Sequence, residues 1–419
     1  MYLIRANYPN QPVQFSWKLP RSKSLWARYL LLDAMESKEL NILQEEATPI
    51  DIRALAQALQ AFETGEMCLD VCESGTAMRL LLAFLVARTD RPIHLRGQGR
   101  QHQRPIASLV SALRQLGAQI DYLGEEGFPP LAIYPSQLNG KYAELDASSS
   151  SQYLSALFLL APILSPGVRI DTSKHTLASR PYAEMTRQLL AYRGYLWEEE
   201  STGVFIYRGK QQALAGRCEI EADWSAASYA YALLALLPVG SSCILSGLHL
   251  PSLQGDAEAL CQIFTTLGVT TTEGNSGVCL TKQTEKAPSF FRFSMQSCPD
   301  LVPAVVVALI GRGIPFRLEG VAHLRIKESD RLLALKEELA KLGYDLLIED
   351  DALSWDGKRS SYISYIKGTL LSAHGDHRIA MALALLALQE GSLQLDSPDV
   401  VSKSFPGYWE VLAHTGLFI

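Results

Sequence analysis

Apolar and polar positions along this chain follow two periods, and the places where one gives way to the other predict its elements. Leu332, Leu335, Leu339 and Leu342 fall at i, i+3, i+7 and i+10 and mark one face of a helix, with Lys336, Glu337, Glu338 and Lys341 on the outer face and Gly343 as its stop. Ser329 or Asp330 is the expected cap. The same ending recurs. Amphipathic runs close on Gly117, Gly194, Gly268, Gly343 and Gly416, which are 77, 74, 75 and 73 residues apart. Four of the five are followed by two short polar-apolar alternations around a turn rich in Gly, Asp or Glu, which predicts a hairpin after the helix. With a weakly marked copy ending near Phe62, the chain counts about six units of roughly 70 residues, each mixing helices and strands. Units so few and so large do not suit a thin solenoid, so two domains of three units each are expected, joined by a short hinge because no low-complexity linker marks a boundary. The apolar runs Tyr153–Leu164 and Ile379–Leu388 read as buried helices, too short to span a bilayer.

Composition narrows the class. At 419 residues the chain exceeds one ordinary core, and 48% hydrophobic residues place it with soluble globular proteins. A net charge of -6 argues against a nucleic-acid or anionic-membrane partner and leaves small molecules. The cysteines Cys68, Cys72, Cys218, Cys243, Cys261, Cys279 and Cys298 are odd in number and show no zinc spacing, which points to reduced thiols in a cytosol. The start, Met-Tyr-Leu-Ile-Arg-Ala-Asn, lacks the apolar core of a signal peptide.

The candidate chemistry lies at the helix starts. Lys23, Arg79, Arg104, Arg331 and Arg378 each stand at or near one, against the preference of the macrodipole, in a protein that is acidic overall. An anion is expected to compensate them. The densest stretch is His323–Arg331, with five formal charges in its last seven residues. Capping residues recur beside these cations: Ser22 or Ser24, Thr76 after Gly75, the serines Ser148–Ser151 before Gln152, and Ser179 before Arg180-Pro-Tyr182. Pro105 fits a first helical position. Asp300, opening the apolar run Leu301–Ile310, reads first as a helix cap and second as a base. If the helices of each domain run parallel, their starts collect on one face, and two such faces across a hinge make a cleft for a small polyanion.

Taken in order, Lys23-Ser-Leu-Trp-Ala-Arg28, Ser74-Gly-Thr-Ala-Met-Arg79, Arg104-Pro-Ile106, Ser150-Ser-Gln-Tyr153, Gln254-Gly-Asp256, Pro299-Asp300, Arg325-Ile-Lys-Glu-Ser-Asp-Arg331, Asp376-His-Arg-Ile-Ala-Met381 and Lys403-Ser-Phe-Pro406 resemble the motifs of the 5-enolpyruvylshikimate-3-phosphate synthase family. The resemblance runs from about Leu19 to Glu410. It implies an α/β fold, the two-domain inside-out α/β barrel with three βαβαββ units per domain, which matches the six-unit count reached from the glycines. By family position, residues 1–19 and 222–419 form one domain and 20–221 the other, with the active site in the interdomain cleft. The implied reaction moves the enolpyruvyl group of phosphoenolpyruvate to the 5-hydroxyl of shikimate 3-phosphate and releases phosphate, with no metal or organic cofactor. The implied catalytic residues are Asp300 as base on the hydroxyl, Glu328 as acid and base at the methylene carbon, and Lys23 and Lys327. The implied phosphoenolpyruvate contacts are Lys23, Gly75, Arg104, Gln152, Arg331, Arg378 and Lys403. For shikimate 3-phosphate they are Ser24, Arg28, Ser150, Ser151, Gln152, Ser179, Tyr182, Asp300, His323 and Lys327. A cytoplasmic monomer acting on these two anions, with no nucleic acid or membrane partner, is expected.

Three positions depart from the family pattern: Arg21 replaces a glycine, Glu73 an asparagine and His323 an asparagine. Two other readings compete. One is a catalytically impaired ligand-binding homologue, for which Glu73 and His323 speak. The other is the sister transferase acting on UDP-N-acetylglucosamine, which carries a cysteine in the loop near Arg104, whereas residues 97–106 contain none.

Overall fold

The computed structural model describes residues 2–37, 48–215, 219–274, 277–360 and 368–419. The chain divides into two compact units, one made of Met1–Arg21 with Glu221–Ile419, the other of Ser22–Ile220. Cys218 and part of the run after the helix Lys23–Met35 lie outside the described residues.

Unit Ser22–Ile220 holds two mixed four-stranded sheets. In the first, Cys68–Asp70 runs parallel to Ile93–Arg96, which pairs antiparallel with Leu131–Tyr134, which in turn pairs with Gln119–Tyr122. The second repeats this order with Tyr142–Glu144, Arg169–Asp171, Val204–Lys210 and Tyr195–Ser201. Each parallel pair is joined through a helix, Gly75–Arg88 or Ser151–Phe158, as a crossover between parallel strands requires. Both helices are apolar and buried from the first turn, while Ile93–Arg96 alternates buried and exposed side chains. The sheets thus keep one face for water and one for the helices.

The other unit builds the same order twice more. Gln14–Lys18 runs parallel to Ser242–Ser246, and Phe291–Ser294 to Phe316–Glu319, each followed by an antiparallel hairpin. A three-stranded sheet adds Leu370–Leu371, Ser392–Leu395 and Tyr2–Arg5. Three apolar helices, Trp224–Leu236, Val302–Gly311 and His377–Leu385, pack on one another and are almost wholly buried.

The helix stops appear where the glycines sit. Gly117, Gly194, Gly268, Gly343 and Gly416 all take positive φ, between 69° and 111°, a region that costs a side chain strain and leaves glycine free. Hairpins follow the first four. Other local expectations are corrected. Glu338 is not on an outer face but 2% exposed, accepting hydrogen bonds from Lys341 Nζ at 2.6 Å and the Ser372 amide at 2.8 Å and pairing with His374 Nε2. The run Tyr153–Leu164 is helical only to Phe158. Pro105 lies ahead of the helix Ala107–Gln115, whose cap position is Ile106, and its carbonyl accepts the Tyr153 hydroxyl. Among the described residues six cysteines are free thiols, of which Cys243 and Cys298 are buried. Among the described residues no helix is long and apolar enough to cross a membrane.

Candidate active site

In unit Ser22–Ile220 four helix starts carry the expected residues. Ser22, not Ser24, caps Lys23–Met35 by accepting the Leu25 amide, and the buried Lys23 reaches Asp51 Oδ2 at 2.9 Å. Ser74, not Thr76, caps Gly75–Arg88. Thr76 instead accepts Gln152 Nε2 at 2.9 Å, tying that start to the helix Ser151–Phe158, which Ser150 caps. Ser179 is at the start of Arg180–Tyr192 in left-handed conformation and gives no side-chain cap, while Arg180 pairs with Glu199.

Arg28 is 1% exposed, and its guanidinium donates to Thr186 Oγ1, Ser155 Oγ and the carbonyls of Ser24 and Tyr182. None of these partners carries a charge. Burial accordingly pushes its pKa down to about 10, well below the ordinary arginine value, with Tyr182 opposing the shift. Gly75 explains a second feature. A Cβ at this position would lie 2.1 Å from Arg104 Nη1 and 2.7 Å from Arg79 Nη1, so the absent side chain lets two guanidinium groups meet at a helix N-terminus. Arg79 also donates to the Gly75 carbonyl and lies over the Tyr153 ring. Glu73 sits against Gly99, whose Cβ would meet its carboxylate.

In unit Met1–Arg21 with Glu221–Ile419 the charges converge on Arg331. It is 1% exposed and donates to Asp300 Oδ1 at 2.9 Å, Glu328 Oε2 at 2.5 Å and Asp376 Oδ2 at 2.7 Å. Arg378 closes on Asp300 Oδ2 at 2.8 Å, Lys327 Nζ lies 4.0 Å from Asp300 Oδ1, and Lys403 Nζ lies 3.8 Å from Glu328 Oε1. Asp300 therefore does not cap. A 3-10 turn, Pro299–Leu301, carries it ahead of the helix Val302–Gly311, and its carboxylate belongs to the arginines. Burial alone raises its pKa, but Arg378, Lys327 and Arg331 outweigh that and hold it well below the usual carboxylate range. Asp330 supplies the cap of Arg331–Ala340. His323 has its Nε2 buried without a hydrogen-bond partner among the described residues. Burial, then Lys327, pushes its pKa down to about 4, so the imidazole is neutral near pH 7.

The cations at helix starts are thus compensated in part by the chain's own carboxylates: Lys23 by Asp51, and Arg331 and Arg378 by Asp300, Glu328 and Asp376. Asp51, Ser155 and Thr186 were not singled out by sequence, and Asp376 entered only as the first residue of a motif, with no role of its own. Asp376 accepts the Arg378 amide as a helix cap and also holds Arg331, so its residue type alone signals only the cap. Glu328, Asp376 and His377 lie close enough to share a metal ion, yet the Arg331 guanidinium already bridges the first two. The trio Glu337, Glu338 and His374, of which only Glu337 is exposed, is also close, with Lys341 on Glu338.

Comparison with known proteins gives this geometry its context. The family model described as EPSP synthase (3-phosphoshikimate 1-carboxyvinyltransferase) matches residues 37–412. A 3-phosphoshikimate 1-carboxyvinyltransferase of Bacteroides fragilis (strain YCH46) is 38% identical over 425 residues, covering 100% of this chain and 98% of the relative. One from Syntrophobacter fumaroxidans is 34% identical, covering 96% and 97%. Among solved structures, an EPSP synthase of Acinetobacter baumannii superposes with a TM-score of 0.72 at 22% identity, covering 100% and 99%, which shows a shared α/β fold with mixed sheets. With nearly its whole length matched to the family model and to relatives above 30% identity, this chain belongs to the EPSP synthase (3-phosphoshikimate 1-carboxyvinyltransferase) family.

Proposed function

We propose that this chain transfers the enolpyruvyl group of phosphoenolpyruvate to the 5-hydroxyl of shikimate 3-phosphate and releases phosphate, a step toward chorismate and the aromatic amino acids. The observation that carries the reading is the buried Arg331, held between Asp300 and Glu328. Addition and elimination through a tetrahedral ketal need one group to take a proton from oxygen and another to give a proton to carbon, each then reversing or passing it on. Two carboxylates in different surroundings suit that task. Asp300, surrounded by three cations, is a weak base as long as they remain on it. The phosphate and carboxylate of phosphoenolpyruvate are competing anions for Arg331 and Arg378, and sharing them restores basicity to Asp300 when substrate is bound. Glu328, between Arg331 and Lys403, takes the role of acid and base at the methylene carbon.

Lys23, Gly75, Arg104, Gln152, Arg331, Arg378 and Lys403 form the phosphoenolpyruvate set in this reading. Ser24, Arg28, Ser150, Ser151, Gln152, Ser179, Tyr182, Asp300, His323 and Lys327 form the shikimate 3-phosphate set. The buried Arg28, whose hydrogen-bond partners among the described residues are all uncharged, supports an anion there. Arg28 acts either directly or through the hydroxyls and carbonyls it orders. Each compact unit supplies part of both sets, so the two are proposed to be the domains of an inside-out α/β barrel of six βαβαββ units. A cytoplasmic monomer completes the reading.

Phosphate release measured with both substrates, with each alone, and with UDP-N-acetylglucosamine in place of shikimate 3-phosphate tests it. Release that requires phosphoenolpyruvate and shikimate 3-phosphate together is expected. No release with that pair, or equal release with the sugar nucleotide, removes the proposal.

A further inference from the structure

The helix Ile50–Glu63 begins at Pro49, which has no side chain able to cap it, and Asp51 stands in its first turn. An acid there is favoured by the helix dipole, but that benefit is available to an exposed side chain. Asp51 is instead 5% exposed and does not cap its own helix. Its Oδ2 receives Lys23 Nζ at 2.9 Å, and the two side chains are 10% and 5% exposed for Lys23 and Asp51 respectively. Lys23 meanwhile opposes the dipole of its own helix, so the contact joins the starts of two adjacent helices, a mismatched cation on one to a matched acid on the other.

Resting on the assignment of Lys23 to phosphoenolpyruvate above, we propose that Asp51 is the positioning residue of Lys23. It anchors the end of a flexible four-carbon side chain through a hydrogen bond from the ammonium, so that the charge is fixed in place where the phosphate is to bind. A side chain that is already ordered loses less entropy on meeting its ligand, and the gain falls on binding and transfer of the anion.

The full chain tests this with Asp51→Asn, Asp51→Glu, Lys23→Met and the double variant Asp51→Asn/Lys23→Met. Asp51→Asn is expected to lower kcat/KM for phosphoenolpyruvate by about 10- to 100-fold, the scale of a misplaced contact, with KM for shikimate 3-phosphate unchanged. Asp51→Glu should recover part of the loss. The double variant should be no slower than Lys23→Met alone, because a residue acting only through Lys23 has nothing left to position. Multiplying losses in the double variant, or wild-type kinetics in Asp51→Asn, overturns the proposal. If Asp51→Asn does not fold, Asp51→Glu decides: a carboxylate displaced by one methylene must lower phosphoenolpyruvate kcat/KM while the melting temperature stays near wild type, and unchanged kinetics there overturn the proposal equally. A Lys23→Met variant that keeps wild-type turnover would instead count against the substrate assignment of Lys23.

Discussion

Asp300 shares its two oxygens between Arg331 and Arg378, so a substitution there changes charge balance as well as chemistry. Asp300→Ala and Glu328→Gln are each expected to lower turnover by about 100-fold or more, the scale of a positioned acid or base, and near-wild-type steady-state rates would refute the roles. His323 gives a prediction in stability. Its folded pKa, about 4, lies below the ordinary histidine value, so between these limits the unfolded chain binds more protons and stability falls as pH drops from about 6.5 toward 4. His323→Asn should flatten the slope of melting temperature against pH in that window, and an unchanged slope would mean the imidazole does not titrate there. Gly75→Ala needs no forbidden backbone, since the glycine is helical, but its methyl group must displace the Arg104 guanidinium. On the proposed function, competition of glyphosate with phosphoenolpyruvate at this site is an expectation that the family resemblance implies. The variant should weaken that longer inhibitor roughly tenfold more than the substrate, a difference of about 1.4 kcal/mol, read as the ratio of inhibition constant to KM. Arg331 was legible in sequence because a cation in a first turn conflicts with the dipole. Asp51 and Asp376 were not, because an acid at a helix start agrees with it and so raises no question.

At the level of elements, glycine made the helix ends readable. The glycines four positions after Leu113, Leu190, Phe264, Leu339 and Leu412 turn through positive φ, and only the missing Cβ makes that inexpensive. Helix starts were less readable, since a short 3-10 turn shifts the first helical residue without changing the apolar pattern, as at Pro299–Leu301. The helix Arg331–Ala340 shows the limit of a periodic face. Glu338 falls on the side assigned to solvent, yet the segment Ser372–His374 covers it and gives it an amide and an imidazole. That covering comes from residues more than 30 positions away, which no helical period encodes. Glu338→Ala is expected to cost about 2 kcal/mol, because the Ser372 amide loses its acceptor inside the protein. Thermal or urea unfolding would show it, and a variant as stable as wild type would mean water replaces the carboxylate.

On the scale of the whole molecule, one unit is contiguous and the other is not. Ser22–Ile220 contains both strands of every pairing in its two sheets, whereas the sheet of Ser242–Ser246 takes its parallel neighbour from Gln14–Lys18. An excised Ser22–Ile220 fragment should therefore melt cooperatively by circular dichroism, while Glu221–Ile419 alone should not, and should regain a transition when the first 21 residues are fused to it. Cooperative melting of the second fragment unaided would show that the strand is dispensable. The same interrupted sheet also sets an order in time. During synthesis Gln14–Lys18 emerges long before Ser242–Ser246, and at the usual pace of a ribosome the wait is roughly 10 to 50 seconds. For that interval a strand carrying Phe15 and Trp17 has no edge to join, while the entire intervening unit can be completed. The nascent chain thus carries one finished body and one unpaired apolar segment at once, a form suited to chaperones that hold short hydrophobic stretches until translation reaches their partner.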